Sequence, residues 1–195
     1  MFAPSKAIVI VVLTLVSVVT IAGAQAQVFT IYPQTNWVST GYVTPSIRVG
    51  DTIVWSNRYT QDQLKVHGFG YFDSDTIGMP AVVDSAAIYY NQFANVNTPT
   101  TDLRWVGAID PQNRSASDLY KDLVGGYDLG TETGDNRLHR HPFPPVGSWP
   151  YTMSGYVLIG WLVQAQDTSS ATTYTGKARG YTSTTNRPHL DVYYH

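Results

Sequence analysis

The chain has 195 residues, 43% of them hydrophobic, with 12 basic and 14 acidic side chains, a formal charge of −2 and no cysteine. Zero cysteine excludes disulfides, thiolate metal sites, thiol nucleophiles and iron–sulfur clusters. No basic patch or charge run is present, which argues against nucleic acid and anionic lipid as partners, and charged residues make up only 13% of the chain.

The N-terminus reads as a secretory signal peptide over residues 1–26. Lys6 supplies the positive start, Ala7 to Ala22 is almost wholly apolar, and Ala24-Gln25-Ala26 fits a small-residue cleavage site, with Ala22-Gly23-Ala24 as a competing site. A transmembrane anchor is the alternative, but the apolar stretch falls short of the roughly 20 residues a spanning helix needs. No cysteine is available to carry a lipid. Cleavage after Ala26 leaves residues 27–195, the length of one domain, at a net charge of about −3. The expected location is outside the cell or on its surface, with no membrane contact after cleavage.

From Val28 the pattern is β. Val28 to Tyr32 is β-branched and aromatic and stops at Pro33; Tyr42-Val43-Thr44 runs into Pro45. Ser46 to Val49 alternates polar and apolar, Gly50-Asp51 turns, and Thr52 to Trp55 alternates again with Ile53 and Trp55 on one face. Leu64 to Phe69 repeats the alternation. Ala81 to Val83 and Ala86 to Tyr90 suit a strand or a short helix, and Leu103 to Ile109 a strand that ends at Asp110-Pro111.

The spacing predicts one helix over Ala116 to Val124. Ser115 and Asp118 resemble a capping box, Leu119 and Leu123 share a face, and Gly125-Gly126 stops it. Gly125 to Pro150 is rich in Gly, Pro, Asp and Asn and reads as a long loop, of the kind that is often functional. Tyr156 to Val163, the most apolar run of the mature chain, reads as a central strand. Thr168 to Thr175 is a polar Ser/Thr stretch, and Leu190 to Tyr193 a last edge strand. A single all-β domain, a β-sandwich with one short helix and a long loop, is the expected architecture.

Ile47-Arg48-Val49-Gly50-Asp51-Thr52-Ile53-Val54-Trp55-Ser56-Asn57, followed by Val66-His67, resembles cupredoxins of the plastocyanin and phytocyanin type. Met153-Ser154-Gly155-Tyr156-Val157-Leu158-Ile159 is similar to that family's closing strand. The resemblance covers about a third of the mature chain. It implies a Greek-key sandwich, with His67 at the first copper-ligand position and Met153 at the axial one. The departures are a missing ligand cysteine and a chain that continues past the closing strand. The resemblance therefore implies the fold without blue-copper electron transfer, since that centre needs a thiolate.

His139 and His141 alternate, so on a strand both point the same way. With His67 they are candidates for a colourless three-imidazole copper or zinc site; no cofactor at all is the competing expectation. No G-x-S-x-G elbow and no phosphate-binding glycine loop occur, and Gly68-Phe69-Gly70 lacks the third glycine. Asp73 and Asp75 suit a solvated turn; Asp110, Asp118 and Asp122 suit turns and helix capping. No catalytic residues are assigned. Among the five Trp, Trp55 and Trp161 are expected in the core, while Trp37, Trp105 and Trp149 stay open. Asn113-Arg114-Ser115 is a glycosylation sequon, meaningful only where the host glycosylates.

Three functional expectations follow. The first is an extracellular binding or surface module for a protein or a glycan, since exposed Trp and Tyr can stack on sugars. The second is a self-associating structural subunit of an extracellular assembly or filament, through exposed strand edges. The third is the copper or zinc protein.

Overall fold

The computed structural model describes residues 27–34, 39–58, 65–73, 83–144, 156–163 and 172–195. Among the described residues, twelve strands form two antiparallel sheets, with one α-helix. The smaller sheet runs β1 (Gln27–Ile31), β12 (His189–Tyr194), β6 (Val83–Asn91), β9 (Leu138–Pro142). The larger runs β11 (Thr173–Ala178), β4 (Ile53–Arg58), β5 (Lys65–Asp73), β10 (Tyr156–Val163), β7 (Thr100–Gly107), β8 (Tyr127–Thr133). Two short strands, β2 (Thr40–Val43) and β3 (Arg48–Gly50), attach to the larger sheet, β2 pairing with both β3 and β5. The expected all-β sandwich with one short helix is the observed architecture.

The alternation legible in sequence decides which core each strand feeds. Ile53, Trp55, Phe72, Ile88, Tyr90, Val157, Ile159 and Trp161 fill the core between the sheets. Phe69, Tyr71, Leu158 and Leu162 point the other way, into a second cluster closed by Leu119 and Leu123 of helix α1 (Ala116–Val124). β10 is buried on both faces, between β5 and β7. That is why it carries an unbroken apolar run rather than an alternation. Ile53 and Trp55 are both fully buried, as their spacing predicts.

Helix α1 forms where its signals place it. The Ser115 hydroxyl accepts from the Asp118 backbone N–H at 3.1 Å and donates to the Asp118 carboxylate at 2.7 Å. At the other end the Gly125 N–H reaches the Lys121 carbonyl, closing the last turn.

Two expectations are corrected. The segment Gly125 to Pro150 is not one long loop: it holds β8 and β9, β8 in the larger sheet and β9 in the smaller. The inward positions of β9 are His139 and His141, so its alternation is real but polar, and a reading of apolar period misses it. The last strand, β12, is not an edge; it lies between β1 and β6. Closeness to the C-terminus carries no information about neighbours. The polar Ser/Thr stretch runs into β11, an edge strand paired with β4, where polar residues suit a half-solvated surface.

Candidate functional site

The three candidate ligand histidines do not come together. His67 stands in β5 in phase with Phe69 and Tyr71, and so faces α1, where its ring stacks on Tyr120 at 4.4 Å. It is 5% exposed, and neither ring nitrogen has a hydrogen-bond partner. Burial, aided by the nearby Lys65 charge, pushes its pKa down to about 4.

His139 and His141 lie across the larger sheet from it, in the core between the sheets. The His139 ring stacks on Tyr90, which packs edge-on against Trp55 and Trp161. Its Nε2 is 2.8 Å from Asp135 Oδ1, and its Nδ1 is 4.0 Å from Glu132. His141 donates from Nε2 to the Leu129 carbonyl at 2.8 Å, while Nδ1 sits 2.7 Å from Glu132 Oε1. A carbonyl only accepts, so Nε2 donates to Leu129, and Nδ1 lies within hydrogen-bond distance of the Glu132 carboxylate. Both contacts join β9 of one sheet to β8 of the other. Among the described residues, no group of three or more His, Cys, Asp or Glu side chains is arranged to hold a metal ion. Of the two histidines of the H-x-H spacing, His141 is a polar tie between the sheets and His139 bonds Asp135 of the β8–β9 turn.

The remaining candidates are placed as follows. Trp105 is buried against Phe143, and Trp55 and Trp161 are in the core as expected. Asp110 caps the short 3₁₀ turn Pro111–Asn113, and Asp122 pairs with Arg114 at 3.0 Å. Trp37, Asp75, Trp149 and Met153 lie outside the described residues.

An opening lies elsewhere, where the chain crosses from β11 to β12. A cavity of about 760 Å³ lies there, walled on one side by Tyr32, Arg187 and His189 and on the other by Tyr181, the hydroxyls of Thr182 to Thr184, and Asn186. A smaller cavity of about 390 Å³, bordered by Asp51, Phe93 and Arg179, shares Thr182 to Thr184 with it.

The crossing loop is held by its backbone. The buried Thr40 hydroxyl donates to the Asp51 carbonyl at 2.6 Å and accepts from the Tyr181 N–H at 2.8 Å. The Thr182 hydroxyl binds the Asp51 carboxylate. Gly180 packs so tightly on Asp51 that a Cβ there would fall 1.5 Å from the carbonyl oxygen. Asp51 itself takes a left-handed φ of 91° to make this approach.

The opposite wall is an aromatic ladder across the smaller sheet. His189 faces Tyr89 in register, and Tyr89 faces Arg140. The Tyr89 and His189 rings stack at 4.7 Å, Tyr32 lies 5.5 Å beyond, and Arg187 sits over Tyr32 at 5.6 Å. Arg140 covers Tyr89 at the far end and donates to its hydroxyl at 2.8 Å. The His189 Nδ1 donates to the Arg187 carbonyl at 3.0 Å, which fixes the ring's tautomer.

Sequence reasoning passed over this loop because it has no motif. Its one signal is Tyr181-Thr182-Ser183-Thr184-Thr185-Asn186, a run of neutral hydrogen-bonding side chains between two strands. No protein-family model matches the chain, and no curated protein matches its sequence.

Proposed function

We propose that this chain is an exported β-sandwich binding module whose cleft between β11 and β12 takes a saccharide. The observation that carries the reading is the chemistry of the two walls. Sugar rings offer C–H faces that pack on aromatic rings and a rim of hydroxyls that need paired donors and acceptors. Tyr32 and Tyr181 offer aromatic rings, Thr184 and Asn186 offer donors and acceptors, and Thr182 and Ser183, whose O–H groups go to Asp51 and the Thr185 carbonyl, offer acceptor lone pairs. The loop is fixed through Thr40, Asp51 and Gly180, so little ordering entropy is lost on binding. The signal-peptide reading of residues 1–26 and the absence of cysteine suit an extracellular module that depends on packing alone. The cupredoxin resemblance enters as one of architecture only.

The test is an oligosaccharide array followed by calorimetry on hits. Tyr181→Ala and Asn186→Ala are expected to weaken binding by about tenfold each, roughly 1.4 kcal/mol, with the melting temperature little changed. A chain that binds no saccharide overturns the reading.

Self-assembly is the second reading, favoured by Val28 and Leu138. Both are about half exposed, on β1 and β9, the two outermost strands of the smaller sheet.

A further inference from the structure

We infer that the saccharide taken by this cleft is an acidic one, carrying a carboxylate or a sulfate ester that is read by Arg187. This inference rests on the saccharide reading of the cleft and narrows its ligand class.

The charge of the cleft runs against that of the chain. The protein carries an acidic excess, 14 carboxylates against 12 basic side chains. Yet among the described residues the cavity is lined by one arginine and one histidine and by no carboxylate, the Asp51 carboxylate beside it being bonded by the Thr182 hydroxyl. Arg104, Arg114 and Arg137 each have an acidic partner within 4 Å. Arg187 has none among the described residues. Its Nη2 donates to the Pro33 carbonyl at 3.2 Å, one face of the guanidinium lies over Tyr32, and its buried Nε has no partner.

A guanidinium presents five N–H donors in a planar fork and cannot give up its charge. Held between a ring and a carbonyl, Arg187 is partly stripped of water while most of its donors stay unused. Such a group gains most from an anion that accepts two parallel hydrogen bonds, and carboxylate and sulfate oxygens both have that geometry. The neighbouring hydroxyls and Tyr181 then meet the sugar ring that bears the anion. A bare inorganic anion would leave that wall unused.

A matched pair of ligands separates the charge from the ring. Calorimetry is run with an oligogalacturonide and with its methyl ester, which keeps every ring and hydroxyl but removes the charge, and with a sulfated oligosaccharide. The expected result is binding of the uronate at least about tenfold tighter than the ester, with the preference shrinking as NaCl rises from about 50 to about 500 mM. Arg187→Gln should abolish the preference and leave weak, charge-blind binding. Tyr181→Ala should weaken acid and ester alike. If Arg187→Gln does not fold, the salt series on the native chain reads the same charge term. Binding of the sulfated ligand with the same Arg187 dependence also supports the inference and assigns the charge to sulfate. Equal affinity for uronate and ester overturns the acidic ligand and leaves the saccharide reading standing. No binding of any of the three, together with a blank array, overturns both.

Discussion

A buried histidine with two unpartnered nitrogens makes His67 sensitive to acid. Its folded pKa of about 4 lies below the ordinary 6.5. Above pH 6.5 it is neutral in both states and adds no pH dependence. As the pH falls from 6.5 towards 4, the unfolded chain takes the proton first and stability is lost. The loss totals roughly 3 kcal/mol at about 1.4 kcal/mol per unit. His67→Phe keeps an aromatic ring beside Tyr120 and should flatten this part of the pH profile, measured by urea denaturation near pH 7 and near pH 4.5. An unchanged acid limb would mean that His67 titrates freely. Trp55 is the second such residue. It is fully buried, and Trp55→Ala should destabilise by about 3–5 kcal/mol. Its ring lies over Gly176 of β11, where a Cβ would come within 2.2 Å of it. Gly176→Ala should therefore cost about 1–3 kcal/mol by overpacking, and a neutral substitution would show that the ring can move aside.

At the scale of elements, the crossing from β8 to β9 is what joins the sheets at this edge. The turn between them is short, with the Gly134 N–H bonded to the Pro99 carbonyl and the Arg137 N–H to that of Asp135. Glu132 and His141 then tie the strands through side chains. Glu132→Ala leaves His141 buried without its charged partner and should cost about 1.5–3 kcal/mol. Hydrogen exchange should show β9 opening earlier in the variant, and unaltered protection would mean the tie carries no weight. Much else at this scale was legible: the helix from Ser115, Leu119, Leu123 and Gly125, and β10 from its apolar length. Apolar periodicity could not disclose β9, because its inward residues are histidines whose burial depends on Glu132, Asp135 and Leu129. Those partners are supplied by folding.

For the whole molecule, export and association are the open quantities. Secreted material should begin at Gln27 or Gln25, since only those bonds follow an Ala-x-Ala triplet. Gln27 is also the first residue of β1, paired with Tyr194. N-terminal sequencing that finds Met1 would refute the signal-peptide reading. Light scattering across a concentration series should show a monomer if the cleft is the working surface. Concentration-dependent growth, abolished by Val28→Lys or Leu138→Lys, would favour assembly through the outer strands.

The sequence alone determined the class of this protein. Period-two alternation makes half-buried strands, an unbroken apolar run needs burial on both faces, and zero cysteine forbids a blue-copper centre; each of these is local or compositional. Only the tertiary structure decided which histidines meet. His67 is in phase with residues facing the helix, whereas His139 and His141 face the core between the sheets, and the phase of one strand relative to another is written nowhere in either. The cleft is of the same kind. Tyr32 and His189 come together through strand pairing, and Tyr181 is held by Thr40, at a separation in sequence over which no motif extends.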